Sequence, residues 1–306
     1  MAINWFPGHM HKARKEIREV MPQIDIVIEV LDARIPFSSE NPLTDALRGE
    51  KPCIKVLNKS DLADPELTER WVQHLEKNRN VKAIPLTMEQ PGQVKHLLEV
   101  CRQMIPNKMD STRVVRALIM GIPNVGKSTI INTLAGRTIA KTGNEPAVTK
   151  RQQRIKLDHG IELSDTPGFL WPKLEPESCG YRLAVTGAVK DTAIEYEDVA
   201  FFAAEFLLEA YPDAVMERFE LESLPKSDID LMEAIGRKRG CLRAGGVANL
   251  HKVSEILLNE LRSGKLGRLT LESPEIVEKE QIILAADRAA KKAAKDARKN
   301  NWKKSR

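Results

Sequence analysis

The chain has 306 residues, 42 % hydrophobic and 30 % charged, enough to bury one substantial core and a smaller second one. No apolar run approaches the roughly 20 residues that span a bilayer, and the opening MAINWFPGHM has no charged region followed by an apolar one, so neither a membrane protein nor a targeting leader is expected and a cytoplasmic location is. The net charge of +5 is concentrated at one end: residues 285–306 hold nine Lys or Arg against two Asp, which leaves the rest slightly acidic and excludes a uniformly basic surface.

Six short runs rich in Ile, Val and Leu, bounded by turn residues, predict strands: 24–33 (IDIVIEVLDA), 53–58, 82–87, 115–121, 153–157 and 161–165. Helical patterns over 64–77 and 91–104 separate several of them, the alternation of a doubly wound α/β fold with a mostly parallel sheet. After about Pro172 the strand signal stops. Val199, Phe202, Ala203, Phe206, Leu207 and Ala210 recur at helical spacing and predict an amphipathic helix ending before Pro212. Further helices are predicted at 229–238 and 247–262, the latter closed by Gly264. The expected organisation is an α/β domain over 1–175, a smaller all-helical domain over 176–275 and a basic tail over 276–306. The tail's last stretch, AADRAAKKAAKDARKNNWKKSR, is polar on every face, so it is expected to be a frayed helix or disordered until it meets a polyanion such as RNA; a solvated solubility tail is the alternative. Cys53, Cys101, Cys179 and Cys241 are widely spaced with no C-x-x-C pair and read as bystander thiols.

The most specific motif is GIPNVGKST, Gly121 to Thr129, a full G-x-x-x-x-G-K-S match between a strand-like and a helix-like run. Glycines allow backbone N–H groups, among them those of Asn124, Val125 and Gly126, to turn toward a β-phosphate; Lys127 reaches the β- and γ-phosphates, Ser128 ligates magnesium, and the helix opened by Ser128 and Thr129 points its positive end at the anion. Downstream, SDTPGF places Asp165 at a strand end, where it would hold magnesium, and Gly168, whose N–H would sense the γ-phosphate, although D-x-x-G alone is a common turn. Between them Thr149 is either a switch threonine closing on magnesium or an ordinary loop residue.

Asn58-Lys59-Ser60-Asp61 fits N-K-x-D. The Asp61 carboxylate can accept the N1–H and 2-amino group of guanine, whereas adenine offers an acceptor and no 2-amino donor. Asn58 can bond the other side of the base and the stem of Lys59 can cover its face. The element follows a strand, where α/β proteins present ligand groups, yet it precedes the phosphate loop, so the motif order is permuted.

That order, N-K-S-D, then G-x-P-N-V-G-K-S, P-x-x-T and D-T-P-G, resembles the circularly permuted GTPases, and WFPGHMHKAR with DARIPFSSENP is similar to the RbgA/YlqF ribosome-biogenesis family. The similarity runs from about Ile3 to Glu272 and includes RLAVTGAVKD and SGKLGRLTLE. It implies a circularly permuted P-loop GTPase domain followed by a helical domain, GTP and GDP as ligands with magnesium, GTP hydrolysis, and as partner the large ribosomal subunit precursor, contacted through its rRNA, with no membrane or DNA partner. It also implies a catalytic part for His9 and a potassium site at Asn124. Two departures stand out: the usual P-G-x-T loop reads Pro146-Ala147-Val148-Thr149, and the basic tail is longer than the family pattern.

Where Ras-like enzymes place a water-orienting glutamine after D-x-x-G, this chain has Phe169, so His9 is the candidate for that task; a folding or RNA-contact segment at 5–9 is the alternative. Arg237, Lys238 and Arg239 in GRKRG, with Lys252, are the candidate RNA contacts, or else a solvated helix face. Three functions stay open on sequence alone: a GTPase released from the maturing large subunit by hydrolysis, an RNA-binding assembly protein with GTP as a structural ligand, and a P-loop ATPase or kinase.

Overall fold

The computed structural model describes residues 15–108, 114–140, 153–166, 168, 170–171, 174–189 and 195–304. A helix α1 (residues 15–20) leads into β1 (Ile26–Asp32). There follow α2 (Pro36–Ser39), α3 (Pro42–Arg48), β2 (Cys53–Asn58), α4 (Pro65–Leu75), β3 (Val81–Leu86), α5 (Pro91–Gln103), β4 (Val115–Met120), α6 (Lys127–Ala135), β5 (Gln153–Leu157) and β6 (Ile161–Asp165). The six strands form one sheet in the order β3-β2-β1-β4-β6-β5. Every pairing is parallel except that of the edge strand β5 with β6. Covered by helices, the central strands are buried along nearly all of their length, Arg116 of β4 being exposed, which is why they read in sequence as apolar runs; the charged Glu29 of β1 and Lys55 of β2 are buried within them as a pair. From β1 the chain winds outward through β2 to β3, and from β4 it winds to the other side. The carboxyl-end crevice between β1 and β4 is therefore the switch point at which such sheets hold ligands.

Local chemistry sets the helix starts. Asn41 caps α3 by accepting from Leu43 N and Asp64 caps α4 by accepting from Leu67 N, each followed by proline at the first helical position.

The second half is helical: α7 (Glu177–Val185), α8 (Tyr196–Ala210), α9 (Pro212–Phe219), α10 (Asp228–Lys238) and α11 (Leu250–Arg262). The buried face of α8 is Val199, Ala200, Ala203, Ala204 and Leu207, rotated from the expected one. Small alanines let α10 and α11 pack close, while Phe202 is half-buried and stacks on Tyr181 with centroids 5.0 Å apart. Helix α11 begins three residues later than expected, because Leu242 bridges Ala248 and Asn249 then caps the helix by accepting from Lys252 N.

A 31-residue helix α12 (Pro274–Lys304) includes the region expected as a tail. Its first turns are docked: Val277 joins Leu31, Leu57, Trp71 and Leu75 in a buried cluster, and Glu280 accepts from both guanidinium Nη groups of Arg182 at 2.7 and 2.9 Å. Further along, Arg288 pairs with Glu175, and the basic residues that follow are exposed through position 296. Cys53, Cys101 and Cys179 are buried free thiols and Cys241 is half-exposed.

Candidate functional site

The loop between β4 and α6 starts where it crosses β1. Gly121 has φ +149, and a Cβ there would lie 2.4 Å from the Val30 carbonyl oxygen, so no other residue fits. The loop ends at Gly126, whose left-handed φ of +94 opens α6. Lys127 is buried, and its Nζ donates to the Gly121 and Ile122 carbonyls at 3.0 and 3.1 Å. Burial pulls the Lys127 ammonium down to about 8 against the opposing pull of Asp165, itself 1 % exposed at the end of β6. A buried cation so weakly compensated fits an anion in the loop it faces. Ser128 follows, half-buried, and Thr129 is exposed. Gly168 closes against the same point: a Cβ on it would stand 3.0 Å from Lys127 Nζ and 3.1 Å from Pro123 N. Ser128 and Asp165 are therefore the described residues that would hold magnesium alongside phosphate oxygens.

The Asn58–Asp61 element is fastened to this loop from the other side. Asn58, at the end of β2, donates from Nδ2 to the Val125 carbonyl at 2.6 Å, and its buried Oδ1 has no partner among the described residues. An amide with one proton and one acceptor left over beside the phosphate loop fits the edge of a base. A Cβ on Gly126 would meet that amide nitrogen at 2.3 Å, so the two motifs need the glycine to interlock. Lys59 Nζ donates to the Asn124 carbonyl and to Asp32 Oδ2, both at 2.9 Å. Asp61 is half-buried in the same loop.

Asp32 and Arg34 belong to none of the nucleotide motifs, yet they complete this network. Arg34 grips Asp32 through Nε at 2.9 Å and Nη2 at 2.7 Å. Burial alone would raise the Asp32 carboxyl, but Arg34 and Lys59 overcome it and hold it well below the usual range. The signal in the sequence is an Asp-Ala-Arg triplet that begins on the last residue of the apolar first strand. Asn124, at φ +61, turns its amide outward and donates to the Gly187 carbonyl beyond α7 at 2.7 Å.

His9, Thr149 and Phe169 lie outside the described residues, as does Ala147. Arg237 and Lys238 end α10 and Lys252 begins α11, all exposed on either side of the Leu242–Ala248 bridge. Arg237 pairs with Glu233 on its own helix at 2.6 Å. Arg239, also exposed, lies over the Phe219 ring at 5.4 Å and donates to Glu260 at 3.2 Å. No helix among the described residues is long and apolar enough to cross a membrane.

A family model described as "50S ribosome-binding GTPase" matches residues 116–223. The "Ribosome biogenesis GTPase A" of Bacillus cereus is 46 % identical over 282 residues, covering 90 % of this chain and 95 % of its own length. That of Thermotoga maritima is 32 % identical over 273 residues, covering 89 % and 95 %. Among solved structures, the GDP-bound structure of TM YlqF matches with a TM-score of 0.61 at 30 % identity, over 85 % of this chain and 99 % of that one. The GNP-bound YlqF from T. maritima gives 0.60 at 30 % identity, over 87 % and 99 %. The interlocked phosphate loop and base-reading element, on a sheet whose motif order is permuted, together with near full-length identity, establish that this chain belongs to the ribosome biogenesis GTPase A (RbgA/YlqF) family and is a circularly permuted P-loop GTPase.

Proposed function

We propose that this GTPase acts on the maturing large ribosomal subunit, binds it through rRNA, and uses hydrolysis to change its grip and leave. The observation that carries the proposal is the 2.7 Å hydrogen bond from Asn124 of the phosphate loop to the Gly187 carbonyl, which joins the nucleotide site to the end of α7. A loop that rearranges with the γ-phosphate would pull on that end of α7. In this reading residues 1–175 form the nucleotide-binding domain, 176–275 the RNA-facing domain and 276–306 the basic tail, in the bacterial cytoplasm.

Asp61 would read guanine, with Asn58 and Lys59 bracing it. Lys127 and the backbone N–H groups of Asn124 to Thr129 would hold the phosphates, and Gly168 would report the γ-phosphate. Magnesium, held by Ser128, Asp165 and Thr149, would neutralise charge on the β- and γ-phosphate oxygens. The same reading gives the water-orienting part to His9 and a potassium ligand to Asn124 through its side-chain oxygen. Arg237, Lys238 and Lys252 would meet rRNA phosphates. Arg239, sharing Glu260 with Arg218 and packed on Phe219, would contribute by shaping that end of the helical domain.

GTP turnover by the purified protein in potassium buffer, with and without large ribosomal subunits, tests the proposal. Strong stimulation is expected, lost in His9→Ala and reduced when sodium replaces potassium. Guanine-selective binding with no stimulation by any large-subunit preparation would refute the ribosome-activated reading and favour GTP as a structural ligand.

A further inference from the structure

After α11 the chain folds back over the base-reading loop instead of leaving it. Residues 264–272 lie along it as a strap: Leu269 N donates to the Leu62 carbonyl at 3.0 Å, Asp64 N donates to Thr270 Oγ1 at 3.0 Å, and Leu271 N donates to the Arg34 carbonyl at 2.8 Å. The approach is close enough that a Cβ on Gly264, at φ +74, would come within 2.7 Å of Leu62 Cδ2. Two further anchors fix the strap's far end. Trp71 Nε1 donates to the Glu272 carbonyl at 3.0 Å, and Glu272 accepts from Ser38 N at 2.9 Å.

Within the strap, Arg268 is placed on the loop itself. Its Nε donates to the Ala63 carbonyl and its Nη2 to the Ser60 carbonyl, each at 3.0 Å. These two carbonyls bracket Asp61 and Leu62. The planar guanidinium spans them as a single rigid fork, which the point charge of a lysine cannot do. Ser60 N in turn donates to the Leu86 carbonyl at the end of β3, so the loop is held between the sheet on one side and Arg268 on the other.

We infer that Arg268 is a positioning residue for guanine recognition, setting through the Ser60 and Ala63 carbonyls where the Asp61 carboxylate stands. The inference rests on the reading of Asp61 as the group that accepts from the base. A carboxylate can take the N1–H and 2-amino protons together only if both oxygens lie in the plane of the base, so a loop free to shift loses the second bond first. Base selectivity thus depends on a residue more than two hundred positions away in sequence, on a segment continuous with α11.

The test uses the full chain and compares GDP with IDP, whose base lacks the 2-amino group, by competition against a fluorescent GDP. Asp61→Asn is the control for the underlying reading, and Arg268→Ala, Arg268→Met and Arg268→Lys probe the fork. The expected result is a GDP preference that Asp61→Asn erases and that Arg268→Ala lowers by about tenfold, one charge-assisted hydrogen bond's worth of discrimination. IDP affinity should barely change, and lysine should restore part of the preference. Arg268→Met keeps the stem and loses the donors, so it decides by the same ratio if Arg268→Ala fails to fold. An unchanged GDP/IDP ratio in the Arg268 variants, with the ratio erased by Asp61→Asn, overturns the role of Arg268 and leaves Asp61 standing. An unchanged ratio in Asp61→Asn overturns both.

Discussion

Replacing Asp32 with asparagine keeps the shape of the side chain and removes the one negative charge that the Arg34 and Lys59 cations share. Asp32 and Arg34 are both 3 % exposed at the side chain, and the carboxylate accepts from Arg34 Nε, Nη2 and backbone N and from Lys59 Nζ, all between 2.7 and 3.1 Å. Breaking a buried pair from one side costs about 3–5 kcal/mol, because the remaining guanidinium cannot reach water. With a urea slope of about 3 kcal/mol per molar for a chain of this size, the unfolding midpoint should fall by about 1 M or more. Urea titration followed by tryptophan fluorescence, with and without GDP, measures it. GDP should also protect the variant less, since Lys59 links Asp32 to the phosphate loop. The double variant Asp32→Asn/Arg34→Met, which removes the stranded guanidinium, should recover much of the loss. The sign with pH follows from the depressed carboxyl: its folded value lies below its unfolded one, so its stabilisation is complete at neutral pH and lost as acid protonates it, below about pH 4. A midpoint shift under about 0.3 M, or a double variant no better than the single one, would refute this account of the network.

In Lys127→Met, stabilisation by GDP should disappear in thermal unfolding. Without nucleotide, wild type should gain stability relative to this variant between pH 8 and 10, because a lysine lowered to about 8 when folded binds fewer protons than the unfolded chain there; a flat difference would refute it. Lys55, fully buried between Glu29 and Glu40 at 2.6 Å from each, leaves the buried Glu29 carboxylate and the partly buried Glu40 carboxylate without their cation when replaced by methionine, and a loss of about 3–5 kcal/mol is expected by urea unfolding. Truncation after residue 284 should flatten the salt dependence of rRNA binding, by about 0.7–0.9 in the slope of log K for each phosphate no longer neutralised, and an unchanged slope would take the basic end of α12 out of the interface.

Much of the architecture is legible because it is written locally. All six strands stand within two residues of their predicted bounds, since short runs rich in Ile, Val and Leu between turn residues mark strands locally, most clearly in the buried central ones. The phosphate loop is readable for the same reason: Gly121, Gly126 and Lys127 do their work within one strand-turn-helix unit. Pro212 shows where local reading stops. In sequence it marks the end of one helix, and in the fold it also begins the next, α9, because proline suits a first helical position as well as it ends a preceding one. The short helix α7 offers no long apolar period to detect.

Sequence by itself determined the sheet's strands, the presence of the nucleotide motifs and, through their order, the permutation. Tertiary structure alone decided how those motifs lock together. Asn58 meets Val125, Lys59 meets Asn124, Arg268 meets Ser60 and Ala63, and Val277 meets Trp71, pairs separated by 65 or more positions in the chain. No periodicity or spacing encodes such meetings, because a side chain's hydrogen-bond partner is set by which strand ends the fold brings to one edge. The same physics explains why the basic end of α12 was expected to be loose and its beginning is not: composition predicts exposure where nothing apolar needs cover, but only the folded sheet offers Val277 a place to be buried.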